Sequence, residues 1–442
     1  MKPSSEIPRP AGSLLNHSLR FAKNTMRFYE DAFRECGDIF ATRIPGLGNW
    51  VYVCSLDLAK IIVEAPPDVL AGGDIEGFSL AHLLGKGAAS QLDGPAHQER
   101  RDVTAPYLST QESRRHVEEF RAITERRLAQ WPLGKPFPLV LELQRIALEA
   151  LVKVFFSAAG PEKIQQIADV YQRFSFKGLR SPASVHPTLQ VELGPWSPWG
   201  RVKAKQREVF QLFAAEIEAR LAAVDQPDQD DIILGLARAR LKDGSRLSRE
   251  VILTEILDLL FQGHELTGDS MTWTMGELIT NPEVLAELRR ELDAADTAAS
   301  DPPYLEAVVY EGLRRRHSNF FTTVRRVKQP FELGGYLLPE GTLVCVCYPA
   351  LSKREDLYTQ PQTFNPGRFL EQKPPTDARC PFGSGAHACA GQGLAVVIMK
   401  TALATIARKA DLKLAQPEVH PVRNAYWYEP NKGMLVTLEQ RR

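Results

Sequence analysis

Apolar residues recur at three-to-four spacing from about residue 110 to about 295, the period that lines one face of a helix. The strongest run begins after Ser248 and continues to Asn281, where Pro282 stops it. At about 1.5 Å per residue that helix is roughly 50 Å long. One stretch interrupts the block: 175–203 (SFKGLRSPASVHPTLQVELGPWSPWGRVK) holds four prolines, several glycines and two tryptophans, and reads as a loop region. Near the start, DIFATRI (38–44) and NWVYVC (49–54) flank the turn Pro45-Gly46-Leu47-Gly48 and read as a hairpin. Strand patterns return over 322–348, with turns at Gly334-Gly335 and Pro339-Glu340-Gly341. An irregular stretch to about 388 is followed by a last amphipathic helix over 394–410. The order is a little β structure, many helices, then β again, with nothing that marks a linker. A single domain over 1–442, mainly α with small β-sheets (α+β), is expected.

Composition narrows the options. In 442 residues, 44% are hydrophobic and 24% charged, which supports an extensive core and excludes disorder. Lys plus Arg and Asp plus Glu both total 54, so no net charge draws the chain to nucleic acid or an anionic membrane. The N-terminal segment MKPSSEIPRPAGSLLNHSLR has no long apolar run, and neither a signal peptide nor a membrane anchor is expected there. Cys36, Cys54, Cys345, Cys347, Cys380 and Cys389 are scattered, which points to reduced thiols and a cytoplasmic location. Cys345 and Cys347 fall in an alternating pattern with no partner pair nearby and read as strand packing.

The segment that carries chemistry runs from Phe382 through Gly383, Gly385, His387 and Cys389 to Gly391, directly before the last helix. Glycines 383 and 385 allow a tight turn under the cysteine, and Gly391 lets backbone come close on the far side. At a helix start, unpaired N–H groups and the helix dipole favour an anion, the setting that makes a thiolate ligand or nucleophile. On these residues alone, a packed cysteine in a glycine turn fits equally well.

Taken with other segments, the loop resembles the haem-ligand loop of the cytochrome P450 superfamily. Glu311-Gly-Leu-Arg314 resembles that family's E-x-x-R pair, and FNPGRF (364–369) the segment whose arginine, here Arg368, joins the pair in a buried ion cluster. His97-Gln-Glu-Arg-Arg101 resembles the H-x-x-x-R pair that grips haem propionates, and Arg325 matches another propionate-binding position. These landmarks stand in the family's order from about residue 36 to the C-terminus. The resemblance implies the cytochrome P450 fold with a long central helix over haem b. It implies Cys389 as iron ligand, and Phe382, Gly383, Gly391, His97, Arg101, Arg325 and His387 as the cofactor-binding set.

The long helix departs from the pattern. The family's Ala-Gly-x-acid-Thr run corresponds here to Gln262-Gly263-His264-Glu265-Leu266, followed by Thr267. Gly263 matches, allowing a groove beside the haem, and Glu265 matches the acid that feeds protons. Leu266 replaces a hydroxyl donor and can donate nothing, and Gln262 replaces a small residue. The two are one turn apart, so the Gln262 amide is a candidate substitute, with Thr267 a weaker one about 100° round the helix. Packing of the substrate pocket is the competing role for both.

The resemblance implies a haem-thiolate monooxygenase, and the apolar, aromatic-rich candidate pocket named below points to a hydrophobic small molecule of secondary metabolism as its substrate. Electrons would come from a separate ferredoxin- or flavodoxin-type donor. The rivals are a haem-thiolate isomerase or dehydratase needing neither oxygen nor reductant, and a non-catalytic haem sensor or carrier. Candidate pocket residues are 77–90, Phe174, Phe176, Trp196, Trp199, Phe320, Phe321 and Tyr426-Trp427-Tyr428, an apolar and aromatic set.

Overall fold

Alternating apolar positions near residue 50 and near residue 345 pair in one five-stranded sheet. Its strand order is Ile39–Ile44, Gly48–Val53, Leu343–Val346, Thr322–Val327, Leu70–Ala71. The expected hairpin is the antiparallel pair of the first two strands, and Gly48–Val53 then pairs in parallel with Leu343–Val346. The computed structural model describes residues 1–44, 48–157, 159–185, 189–222, 231–294, 302–319, 322–371, 382–423 and 427–442. The turn residues 45–47, and with them Phe320, Phe321, Cys380 and Tyr426, lie outside the described residues. The chain forms two compact units: Met1–Phe78, Ser90–Gln98 and Tyr310–Cys389 make one, and Ser79–Ala89, Glu99–Val309 and Ala390–Arg442 the other. Helices account for 59% of the structure, in keeping with a mainly α chain carrying small sheets.

The first unit is built around the sheet. Val51, Tyr52, Val53 and all four residues of Leu343–Val346 are buried, as central strands covered on both faces require. The helix Thr25–Cys36 lays Phe28, Tyr29 and Ala32 into the same core and stops at Gly37, whose φ of 83° suits a residue without a Cβ. Phe40 stacks on Tyr52 at 4.8 Å. Cys345 and Cys347 are fully buried, and burial pushes the Cys347 thiol well up, as packed cysteines should show. No group of three metal-binding side chains occurs among the described residues.

The same unit contains the ion cluster that the sequence led us to expect. Arg314 grips Glu311 through Nε (2.7 Å) and Nη2 (2.9 Å), and the carboxylate also accepts from Arg368 Nε (3.1 Å) and the Asn365 amide (2.9 Å). Arg314 spends its remaining donors on the carbonyls of Ser352 (2.7 Å) and Pro361 (2.9 Å). Glu311 and Arg314 are 0% and 1% exposed, so each charge persists only because the other is there.

The second unit is organised by the long helix, Arg249–Thr280, whose first turn is capped by the Ser248 hydroxyl and whose end falls at Asn281. It crosses the helix Leu139–Phe155 at Gly268, where an added Cβ would lie 2.5 Å from the Gln144 Cα. Only glycine permits that approach. Part of 175–203 departs from the expected loop: Ser175–Leu179 forms a π-helical turn, Pro182–Val185 a short helix, and Pro198 opens a 24-residue helix to Leu221. Proline suits the first turn of a helix, where its missing N–H costs nothing, so Pro198 marks a start rather than a break. The last helix is Gln392–Lys409, and a small antiparallel sheet follows, in the order Ala410–Leu414, Leu435–Arg441, Pro136–Pro138. No helix among the described residues is long and apolar enough to cross a membrane.

Beside the helix crossing, Asp269 Oδ1 accepts from Gln144 Nε2 at 2.7 Å, while Oδ2 finds no partner. Burial, reinforced by Glu265 and Glu429, raises this carboxyl well above its ordinary value and favours its protonated form.

Two outcomes follow. Glu311→Ala strands two arginines in the interior at a cost of about 3–5 kcal/mol, and soluble yield should collapse; a well-folded Glu311→Ala protein with an unchanged melting temperature would contradict the cluster's role. Asp269 has a raised carboxyl in the folded state, so its stabilising contribution is complete below about pH 4 and is lost as the pH rises. Asp269→Asn should therefore melt progressively higher than the wild type between about pH 5 and pH 8, and a constant difference across that range would refute the protonated assignment.

Candidate functional site

In the first unit, the Phe382–Cys389 segment closes into a tight loop. The Cys389 amide donates to the Phe382 carbonyl at 2.8 Å and the Ala388 amide to that of Gly385 at 3.0 Å. Gly383 and Gly385 take φ of 67° and 74°, and a Cβ on Gly385 would sit 2.7 Å from the Val63 carbonyl, so both glycines are dictated by the turn. Cys389 is exposed, whereas Cys54, Cys345 and Cys347 are buried and Cys36 is half-buried. Gly391 has an ordinary φ of −90° and nothing within 4 Å of where its Cβ would be.

Around the loop stand cationic or potentially cationic groups. His387 and His97 stack face to face, with centroids 4.0 Å apart and planes inclined by 19°. His387 Nε2 donates to Asp93 Oδ1 at 3.1 Å. Arg325 lies on the strand Thr322–Val327 and donates to the Val324 carbonyl at 2.9 Å. Arg101, half-buried on the helix Gly94–Thr104, belongs to the second unit. An exposed cysteine two residues from His387, with His97 stacked on that ring and Arg325 in the same unit, fits a haem held by thiolate and propionate contacts.

In the second unit, Glu265 lies deep in the long helix at 4% exposure. The Ser175 hydroxyl donates to its Oε1, Trp427 Nε1 donates to Oε2 at 2.9 Å, and Arg180 approaches both oxygens at 3.4 Å. Arg180 also pairs with Glu429 at 3.0 Å. Burial works against the Glu265 charge, but Arg180, His264 and the Ser175 hydroxyl overcome it and bring the carboxyl below its ordinary value. The surroundings thus push the two carboxyls apart, Glu265 toward its charged form and Asp269, one turn on, toward its protonated form.

Gln262 is exposed, and its amide nitrogen donates to Asp258 Oδ2 at 3.0 Å, one turn back toward the helix N-terminus, the direction in which helical side chains lean. Leu266 is half-buried and Thr267 buried. The helix runs unbroken through Gly263, where a Cβ would come within 3.1 Å of Leu151. Packing against the helix Leu139–Phe155 thus gives the glycine a reason besides a groove. Further back, Glu255 accepts from Arg100 (3.2 Å) and the Ala89 amide (2.8 Å), and burial together with Asp258 lifts its carboxyl to about 7.

Several of these residues escaped the sequence reading: Asp93, Arg100, Ser175, Arg180, Asp258 and Asp269. One signal was available. Glu255, Asp258, Gln262, Glu265 and Asp269 recur at alternating spacings of three and four, a polar stripe on a helix that is otherwise largely apolar. Of the aromatic pocket candidates, Phe174, Trp199, Trp427 and Tyr428 are buried. Trp196 is 88% exposed and does not line an interior: it occupies a turn closed by the Ser197 amide on the Gly194 carbonyl, and side chains at turn tips project into solvent. Phe176, at 38%, is also exposed and lies against the Arg180 guanidinium.

Comparison with known proteins gives a consistent result. The family model described as Cytochrome P450 matches residues 8–435. The chain is 28% identical to cytochrome P450 137 of Mycobacterium tuberculosis, over 92% of this chain and 84% of that one. It is 29% identical to cytochrome P450 138 of Mycobacterium bovis, over 92% and 90%. Among solved structures, a cyanobacterial CYP120A1 with retinoic acid bound superposes with a TM-score of 0.82 at 21% identity, covering 96% of each chain. The haem domain of cytochrome P450DA superposes at 0.83 with 18% identity, covering 99% and 98%. With a family match over nearly its whole length, this chain belongs to the cytochrome P450 family, binds haem and is a haem-thiolate monooxygenase in the general sense that membership carries.

Proposed function

We propose that the chain is one haem-thiolate domain that oxidises a hydrophobic small molecule of secondary metabolism, with Cys389 as the iron's protein ligand. Electrons come from a separate ferredoxin- or flavodoxin-type donor. Haem held by a thiolate supplies oxygen activation, because the sulfur pushes electron density into the iron and favours O–O cleavage. The protein's own residues hold the cofactor and manage protons. His97, Arg101, Arg325 and His387 neutralise the propionates, while Phe382, Gly383 and Gly391 shape the space beside the sulfur.

On the long helix, Glu265 is the acid that passes protons, its carboxylate kept charged by Arg180 and oriented by Ser175 and Trp427. Gln262 takes over the donor role that Leu266 cannot fill. What supports this is its place one turn before Leu266 and the two N–H groups of its amide; in the structure one of these is engaged by Asp258, one turn toward the helix N-terminus, so the role requires the side chain to turn toward Leu266 when the site is loaded. Thr267, buried and about 100° away round the helix, is the secondary candidate. Buried Trp427 and Tyr428 together with Phe174 and Trp199 support an apolar substrate.

Two measurements test this. Reduced protein with carbon monoxide should give the far red-shifted Soret band of a thiolate complex; a band at the imidazole-ligated position in folded protein would remove Cys389 from its role. Gln262→Ala should raise peroxide release and lower product per reductant consumed, and adding Leu266→Thr should recover part of the loss. Removal of one preorganised donor can cost about 10²–10³ in rate, so an unchanged yield in Gln262→Ala ends the Gln262 assignment. Turnover of a peroxide or oxime with no reductant would favour the isomerase or dehydratase instead.

A further inference from the structure

Asp93 stands four residues before His97, and in the first unit it joins segments far apart in sequence. Its Oδ1 accepts from the Gly72 amide at 2.9 Å and faces His387 Nε2 at 3.1 Å, and its Oδ2 accepts from the Gly73 amide at 2.9 Å. Each partner leads to a different basic group. His387 is the ring on which His97 stacks at 4.0 Å. Gly72 follows the edge strand Leu70–Ala71, whose pairing with Val327 and Arg326 brings it against Arg325. A Cβ on Gly72 would lie 2.7 Å from Arg325 Nη1 and 3.1 Å from its Cζ. The guanidinium therefore rests on the backbone that Asp93 holds. Gly73 is equally constrained, since its Cβ would meet the Leu92 carbonyl oxygen at 2.5 Å.

We propose that Asp93 is a positioning residue for haem: through His387 directly, and through the Gly72-Gly73 backbone, it fixes where His387, His97 and Arg325 present themselves to the propionates. This rests on the reading of those three residues as propionate partners. With Nε2 committed to Asp93, His387 keeps Nδ1 as the ring nitrogen for a further bond, so the carboxylate sets the orientation of the ring. The arrangement parallels a carboxylate that orients a ligating histidine from behind, here with an anionic cofactor group in place of a metal. The carboxylate is well suited to the task. Burial opposes its charge, but the bonds from His387, Gly72 and Gly73 overcome that and hold it at about 2.

The test uses holoenzyme and two readouts other than turnover: the rate at which haem transfers to excess apomyoglobin, and the haem reduction potential. Wild type, Asp93→Ala, His387→Ala and the double variant are compared. Asp93→Ala should speed haem loss about tenfold, the scale of a lost charge-assisted hydrogen bond. The double variant should lose haem faster than His387→Ala alone, because the Gly72-Gly73 support goes as well, but by less than the product of the two single effects, because both changes remove the Asp93–His387 bond. The potential gives the sharper contrast. If Asp93 acts through its basic partners, Asp93→Ala and His387→Ala both weaken the positive field at the propionates and lower the potential. Shifts in opposite directions, as expected of an anion acting by its own charge, would overturn the proposal, as would rates that multiply in the double variant. Should Asp93→Ala not yield holoenzyme, Asp93→Asn, which keeps one acceptor oxygen, is read by the same criteria. If His387→Ala and Arg325→Ala both leave haem loss unchanged, the propionate reading itself fails. If they accelerate it and the Asp93 variants do not, only the role of Asp93 falls.

Discussion

A carboxylate withdrawn from water is tolerated only when donors replace its hydration, and Glu311 meets that demand with three stretches of chain. Arg314 comes from the same helix one turn on, Arg368 and the Asn365 amide from the segment near residue 365, and the carbonyls of Ser352 and Pro361 complete the arginine's shell. The stretch from 352 to 368 contains only short helical turns and no strand, so it lacks a backbone ladder to hold it. The cluster takes the ladder's place. That segment leads in sequence to the cysteine loop, whose own turn depends on glycines at positive φ. A fixed charge network on one side and a fixed turn on the other are how irregular chain presents a sulfur reproducibly.

The long helix solves a related problem by dividing its charges. Glu265 and Asp269 sit one turn apart and both are buried, but a single guanidinium, Arg180, serves Glu265 and Glu429 together. There is not enough positive charge for every acid to ionise. Glu265 is favoured in its charged form because Arg180 and donors from Ser175 and Trp427 reach it, while Asp269, with Gln144 as its hydrogen-bond partner, is favoured in its protonated form. Two carboxyl groups of nearly equal intrinsic acidity are thus pushed toward opposite states on one helix, and the difference is made by neighbours.

Periodicity made the regular elements legible. Ser248 and Asn281 bound the long helix as read, and the hairpin and the strands near 322–348 lie where alternation put them, because each is set by local pattern and by residues such as Pro282 that forbid continuation. The region 175–203 was harder, since prolines 182 and 198 open helices and the same residue type also breaks them. The chemistry was legible where it is encoded in short spacing, as in Glu311 with Arg314 or the glycines before Cys389. It was hidden where a partner is remote: nothing in the neighbourhood of Arg180 points to Glu265, nor does the text around Asp93 point to His387. Trp196 shows the converse error, an aromatic ring counted as pocket lining that a turn places in solvent.

The bond between Asp93 and His387 spans 294 positions of chain, and that between Asp93 and Gly72 spans 21. Closing the longer loop costs more conformational entropy, which the folded unit as a whole must offset. Arg325 and His387 are both remote in sequence from the turn that joins Gly72 to Asp93, so the basic cradle exists only where the whole unit is folded. The local turn by itself would have little hold on haem.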